Sequence, residues 1–176
     1  FQRLEKQFNE KKQWVDGVPK LKTLSQIFKE RGGYEELGSI KGSEMIGWKY
    51  EGPYDNFEAQ KEFGGYPHVN DDLKEKGINS AENHKVIDPG KDAIGNDIVV
   101  AGEGTGIVHM APGCGDIDHS VGKNLGLINI APLNDESRFI EKFGWLTGKL
   151  ATDKETTKEI INDLKERNFL VHAEDY

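Results

Sequence analysis

Cysteine is almost missing from this chain: Cys114 is the only one in 176 residues, so no internal disulfide can form. A reducing compartment is the natural expectation. Long apolar runs are missing too. Nothing approaches the roughly 20 residues that a membrane-spanning helix needs, and the polar start, Phe1-Gln2-Arg3-Leu4-Glu5-Lys6, is no secretory signal. A basic excess is also lacking. The balance of 23 Lys and Arg against 31 Asp and Glu gives a formal charge of −8. That argues against a broad nucleic-acid-binding surface and leaves open a local contact with the end of a strand. There is no internal repeat and no low-complexity segment. Together these absences predict a soluble, cytoplasmic chain with no membrane partner.

Glycine, by contrast, is abundant, at 21 residues. Many tight turns follow, and with them a strand-rich fold carrying several helices. The length fits one domain, 1–176, with a core of its own. Phe1 to Val15 is charged and suits a helix, and Asp16-Gly17-Val18-Pro19 suits a turn. Leu21, Leu24, Ile27 and Phe28 fall at helical spacing, with Gly32-Gly33 placed to end that helix. Tyr34 to Ile40 and Glu44 to Tyr50 read as strands of a hairpin around Lys41-Gly42-Ser43.

Further along, Asn70 to Lys76 suits a short helix, and His84 to Asp88 and Asp97 to Ala101 read as strands around Pro89-Gly90. Leu127 to Ala131 reads as another strand, and Phe139, Phe143 and Trp145 as anchors. Thr152-Asp153-Lys154-Glu155 has the form of a capping box, opening a helix whose buried face is Ile160, Ile161 and Leu164. Phe169 to Ala173 closes the chain as a strand. Trp14, Trp48 and Trp145 are too scattered for a base-stacking platform and read as core. Strands outnumber helices without strict alternation, so an α+β domain with a partly closed sheet is expected.

The chemistry concentrates in one stretch, Gly104-Thr105-Gly106-Ile107-Val108-His109-Met110-Ala111-Pro112-Gly113-Cys114-Gly115-Asp116-Ile117-Asp118-His119. It reads as a strand, a Gly-rich turn and the first turn of a helix. Alternation puts Thr105, Ile107 and His109 on one face of the strand. Pro112 lacks an N–H, so the strand stops there. Asp116 can cap the helix that follows, and Ile117, Val121 and Leu125 form its buried stripe. Asp118 then lies in the first turn, where unpaired N–H groups and the macrodipole favour negative charge.

Each residue has a plain structural reading. Asp118 alone could be a helix-start carboxylate worth about 0.3–1 kcal/mol. His109 could be a histidine beside a core, Thr105 a strand residue, and Cys114 incidental, although a helix N-terminus can activate a thiol. Gly102-Glu103-Gly104-Thr105-Gly106 is no dinucleotide fingerprint, because the spacing differs and a strand follows. His109, Asp116, Asp118 and His119 are ligand types for zinc, but no compact metal motif is present and no metal or other cofactor is expected.

This stretch resembles the Gly-Thr-Gly-x-Val-His-x-Ala-Pro-x-x-Gly-x-x-Asp signature of the editing domain inserted into class I isoleucyl-tRNA synthetases. The valyl and leucyl relatives usually lack a His at the place of His109. The resemblance extends to Lys41-Gly42-Ser43-Glu44-Met45-Ile46-Gly47-Trp48-Lys49-Tyr50-Glu51-Gly52-Pro53, to His84-Lys85-Val86-Ile87 and to Leu170-Val171-His172-Ala173. It implies a strand-rich, partly closed, β-barrel-like sheet with flanking helices.

It also implies an activity, hydrolysis of the ester joining valine to the 3′ end of the isoleucine tRNA. Hydrophobic pockets separate amino acids differing by one methylene only modestly, isoleucine against valine being the standard example, so a second, smaller site removes the wrong product. The resemblance makes Asp118 the grip on the α-ammonium and His109 the wall that admits a valyl and excludes an isoleucyl side chain. Thr105, Gly113, Cys114, Gly115 and His119 bound the substrate pocket. The expected partners are that tRNA end and the remainder of a synthetase chain. The family's Thr-Thr-Thr-Pro-Trp-Thr strand has no counterpart here, so either the chain is a fragment cut downstream of that strand or its hydroxyls come from elsewhere, and an incomplete, weakly active site is expected. An aminoacyl-adenosine binding module without turnover, and a metal-dependent hydrolase, are the alternatives.

Overall fold

Helices account for the regular structure of the described residues, which in this computed structural model are 24–100, 107–171 and 173. Six α-helices follow in order: α1 Leu24–Glu30, α2 Gly42–Met45, α3 Glu58–Lys61, α4 Asp71–Glu75, α5 Asp116–Asn124 and α6 Lys154–Glu166. A 3-10 turn covers Gly144–Leu146. Among the described residues, extended pairing is confined to isolated bridges: Lys49 with Lys85, Tyr66 with Ile130, Lys91 with Asp97, Leu133 with Phe139 and Arg138 with Leu150.

The expected α+β fold with a strand-rich, partly closed, β-barrel-like sheet is therefore corrected. A ladder needs an uninterrupted extended run, and turning glycines sit inside the runs rather than between them. Gly38, at φ +149°, divides Tyr34 to Ile40, and Gly47, at φ +88°, divides Glu44 to Tyr50. Both are backbone conformations that glycine adopts without a steric penalty. The hairpin's intended turn is instead occupied by α2. The helix expected over Phe1 to Val15, and Trp14 with it, lie outside the described residues.

The chain divides into two units. The first comprises Phe1–Met45, Asp88–Val108 and Leu170–Tyr176. Within it, α1 ends at the expected glycines, the Gly33 N–H donating to the Phe28 carbonyl at 2.9 Å. Arg31 Nη2 donates to the Leu170 carbonyl at 3.0 Å. The Asp92 carboxylate closes a turn by accepting the backbone N–H groups of Asn96 and Ile94 at 2.8 and 3.0 Å. The bond from Asn96, first among several, holds Asp92 below the usual carboxylate range.

The second unit comprises Ile46–Ile87 and His109–Phe169. Its core is aromatic: Phe57, Ala59, Phe143 and Leu146 are buried, with Tyr54, Tyr66, Ile130, Phe139, Ile140 and Ile160 packed against them. Phe143 meets Phe57 edge-on at 6.4 Å and lies 6.2 Å from Phe139, separations that ring quadrupoles favour. Phe139 and Phe143 thus anchor the core as expected. Trp145 and Trp48 do not, being 38% and 52% exposed, which corrects their reading as core. The Trp145 ring lies at the surface beneath the Lys149 ammonium, 5.7 Å from its centroid.

Helix α6 begins one residue later than the capping box suggested. Asp153, not Thr152, is the cap, its side chain accepting the Glu155 N–H at 3.2 Å. Ile160 turns into the core, as its spacing required. After the helix, Arg167 Nη1 donates to the Pro53 carbonyl at 2.6 Å, and its guanidinium stands 5.0 Å from the Tyr54 ring centre. Burial, and then the neighbouring Asp163, push the Tyr54 phenol up to about 12.

Candidate functional site

Helix α5 stands where the sequence puts it, but its start is built differently. Gly115 is the N-cap, in extended conformation, and no side chain caps the helix. Asp116 is its first helical residue, which corrects the expectation that Asp116 caps it. Of the expected apolar stripe only Val121 is buried, while Ile117 and Leu125 are about half exposed, at 55% and 48%. Contact comes instead through a residue with no side chain. A Cβ on Gly122 would stand 2.7 Å from the Pro112 ring, so its bare face lets α5 lie against the preceding turn.

A carboxylate ties the two together. Asp118 Oδ2 accepts the Ala111 N–H at 2.8 Å, and its side chain is half-buried. The bond holds the helix start to Ala111, two residues after His109, and hydrogen bonds to charged groups contribute roughly 1.5–3 kcal/mol. His109 itself is exposed.

At the helix start lies an open cavity of about 300 Å³, lined by Pro112, Gly113, Cys114, Gly115, Asp116, His119, Asn129 and Ala131. Its two sides are held separately. Residues 129–131 are fixed by Tyr66, whose N–H donates to the Asn129 carbonyl at 3.0 Å and whose carbonyl accepts the Ala131 N–H at 2.8 Å. Gly113 approaches that segment so closely that a Cβ would lie 1.9 Å from the Ile130 carbonyl oxygen. Only glycine fits there.

Two lining side chains have defined chemistry. His119 Nδ1 lies 3.2 Å from the Pro112 carbonyl. Because a carbonyl only accepts, Nδ1 carries the proton in this contact, which leaves Nε2 as the nitrogen that offers a lone pair in the neutral tautomer. Cys114 is exposed as a residue, yet partial burial of its sulfur pushes the thiol above the usual range, and the Asp118 charge adds to the shift. The thiol is therefore held protonated, which disfavours it as a nucleophile.

Of the residues singled out in the sequence, Gly113, Cys114, Gly115 and His119 share this cavity. Asp118 and His109 do not line it, and Thr105 lies outside the described residues. Asn129 and Ala131 were missed. Their signal was available in the run Leu127 to Ala131, where alternate residues share one side of an extended segment. Among the described residues, no group of three or more His, Cys, Asp or Glu side chains could hold a metal ion. No helix there is long and apolar enough to cross a membrane.

The chain is similar to segments of isoleucine–tRNA ligases. It is 34% identical over 141 residues to the enzyme of Sulfolobus acidocaldarius, covering 80% of this chain and 11% of that one. Against the Saccharolobus solfataricus enzyme it is 36% identical over 138 residues, 78% of this chain and 12% of the relative. Against the Methanocaldococcus jannaschii enzyme it is 31% identical over 175 residues, 97% of this chain and 14% of the relative. It thus spans between a tenth and a seventh of the length of these relatives. No family model and no solved structure matches it.

Proposed function

We propose that this chain, a synthetase-related segment homologous to isoleucine–tRNA ligases, is a single editing domain that hydrolyses the ester joining valine to the 3′ end of the isoleucine tRNA. The observation that carries the reading is the uncapped start of α5 opening on the cavity between Gly113 and Asn129. Free N–H groups at a helix start bind negative charge, and an ester passing to its tetrahedral intermediate develops that charge on one oxygen. An aminoacyl ester is already activated, so the site has mainly to orient it, place a water and stabilise the oxyanion.

The remaining roles follow from the side chains. Asp118 pairs with the α-ammonium through the oxygen that Ala111 leaves open. His119, with Nδ1–H directed at Pro112, holds the attacking water at Nε2. Gly113, Cys114 and Gly115 bound the pocket, while the limit on the admitted side chain at His109, which stands outside that lining, and the hydroxyl of Thr105 are roles that only the family resemblance supports. No protein nucleophile takes part.

Binding without turnover is the second reading, favoured by the use of Asp118 Oδ2 in a backbone bond. Valine release from mischarged isoleucine tRNA separates the two. The chain is compared with a form extended upstream to carry a Thr-rich strand, each with and without Asp118→Ala. Editing requires release that rises on extension and is lost in Asp118→Ala. Retained affinity for a non-hydrolysable aminoacyl-adenosine with no release in either form supports binding alone.

A further inference from the structure

Asn129 brings to the cavity an oxygen that no other group satisfies. Its Oδ1 is buried and, among the described residues, has no hydrogen-bond partner. A buried acceptor without a donor loses its hydration and gains nothing in exchange, so folded proteins almost always meet it with protein, ordered water or a ligand. Tyr54 Oη and Gln60 Oε1 are unpartnered in the same sense, but neither residue lines the cavity at the start of α5, and Asn129 does. The oxygen is also held in place. The Asn129 carbonyl accepts the Tyr66 N–H at 3.0 Å, which fixes the backbone, and the side-chain oxygen lies against Gly113, where a Cβ would stand 2.8 Å from it.

The lining side chains are rich in acceptors and poor in donors. Asp116 brings an exposed carboxylate, His119 offers a lone pair at Nε2, and Asn129 adds the unpartnered Oδ1. The Cys114 thiol, held protonated, is a weak donor and makes no bond to Asn129 Oδ1. Two acceptors on one cavity, with no donor between them, suit a small molecule that carries two donor hydrogens. Water is that molecule. It is held where it finds about two to four polar partners, and a shielded oxygen beside Gly113 admits nothing much larger.

We propose that Asn129 is the second acceptor of the attacking water, holding one of its hydrogens at Oδ1 while His119 Nε2 holds the other. The assignment rests on the proposed ester hydrolysis and adds a residue to it. With both hydrogens held, a lone pair of the water oxygen is left to be directed at the ester carbonyl carbon. As that C–O bond forms, the hydrogen facing His119 passes to Nε2 and the carbonyl π pair moves onto the oxygen that meets the free N–H groups of α5. The hydrogen facing Asn129 stays on the added oxygen. Collapse of the intermediate re-forms the carbonyl, breaks the bond to the ribose oxygen and returns the His119 proton to that oxygen, so acid and alcohol leave with the protein unchanged. Asn129 neither gains nor loses a proton; its part is orientation.

Asn129→Leu is the test, because leucine keeps nearly the same shape and removes the acceptor. The upstream-extended chain is assayed for single-turnover valine release from mischarged isoleucine tRNA and for affinity to a non-hydrolysable aminoacyl-adenosine. At saturating protein the variant should release valine about tenfold more slowly or worse, the cost of losing the orientation of a reacting group. Its affinity for the analogue should stay within about twofold of the parent's, as expected when an interaction of the transition state alone is removed. The residual release should keep the parent's pH profile, since Asn129 does not titrate. In urea the variant should unfold at a midpoint no lower than the parent's, because a buried unpaired acceptor has been replaced by an apolar group. A lower midpoint together with weaker analogue binding makes Asn129 a structural residue and overturns the assignment. Release at the parent's rate overturns the assignment alone and leaves hydrolysis standing, whereas no release by the parent sinks the hydrolytic reading and this one with it.

Discussion

Replacing Gly113 by alanine tests whether the cavity's geometry is set by a backbone contact. A Cβ there would stand 1.9 Å from the Ile130 carbonyl oxygen, where ordinary contact begins near 3.4 Å. Residues 129–131 would have to retreat by about 1.5 Å, which stretches both backbone bonds to Tyr66 beyond useful length. Losing those bonds costs about 0.5–1.5 kcal/mol each, and the overpacking adds about 1–3 kcal/mol. A destabilisation of about 2–6 kcal/mol is expected in urea unfolding, with the cavity distorted in the same step. Gly115→Ala is the matched control. Its nearest neighbour would be 3.9 Å away and its backbone is extended, so only the exchange of a glycine N-cap for alanine, about 0.5–1.5 kcal/mol, is expected. Equal stability of the two variants would refute the close approach of Gly113 to Ile130.

Cys114 should react slowly with a disulfide reagent at pH 8, because a raised thiol pKa leaves less thiolate at any given pH. Asp118→Asn removes the second of the two causes, so the rate should rise without reaching that of a free thiol; no acceleration would remove Asp118 from the neighbourhood of the sulfur. Phe143→Ala, which empties the centre of the aromatic cluster, should cost about 3–5 kcal/mol by chemical denaturation, against less than about 1 kcal/mol for exposed Ile94→Ala. Asp153→Ala should cost about 0.5–2 kcal/mol through loss of the α6 cap, with Thr152→Ala near neutral.

Helices were legible where a local signal sufficed. The periodicity of Ile27 and Phe28 with Gly32-Gly33, Asn70 before a polar turn, and the acidic cap ahead of Ile160 each specify an element without reference to distant residues. Strands were not legible, because alternation says nothing about whether a partner runs alongside, and Gly38 and Gly47 bend the chain within the very runs that alternate. At the site, the Gly-rich turn and the position of α5 could be read from order and spacing. The partners across the cavity could not: the approach of Gly113 to Ile130 and the bridge from Tyr66 to Ile130 join segments far apart in sequence. Trp48 misled for a related reason. Its size predicts burial on average, but nothing local reveals whether a second layer covers the segment that carries it.

The most direct measurement is single-turnover release of amino acid from isoleucine tRNA charged in parallel with valine or isoleucine, using the upstream-extended chain. Valine should be released about tenfold faster or more, the preference expected when one methylene must be excluded from a small site. Equal rates for the two esters, or no release of either, would contradict the assignment of an editing hydrolase.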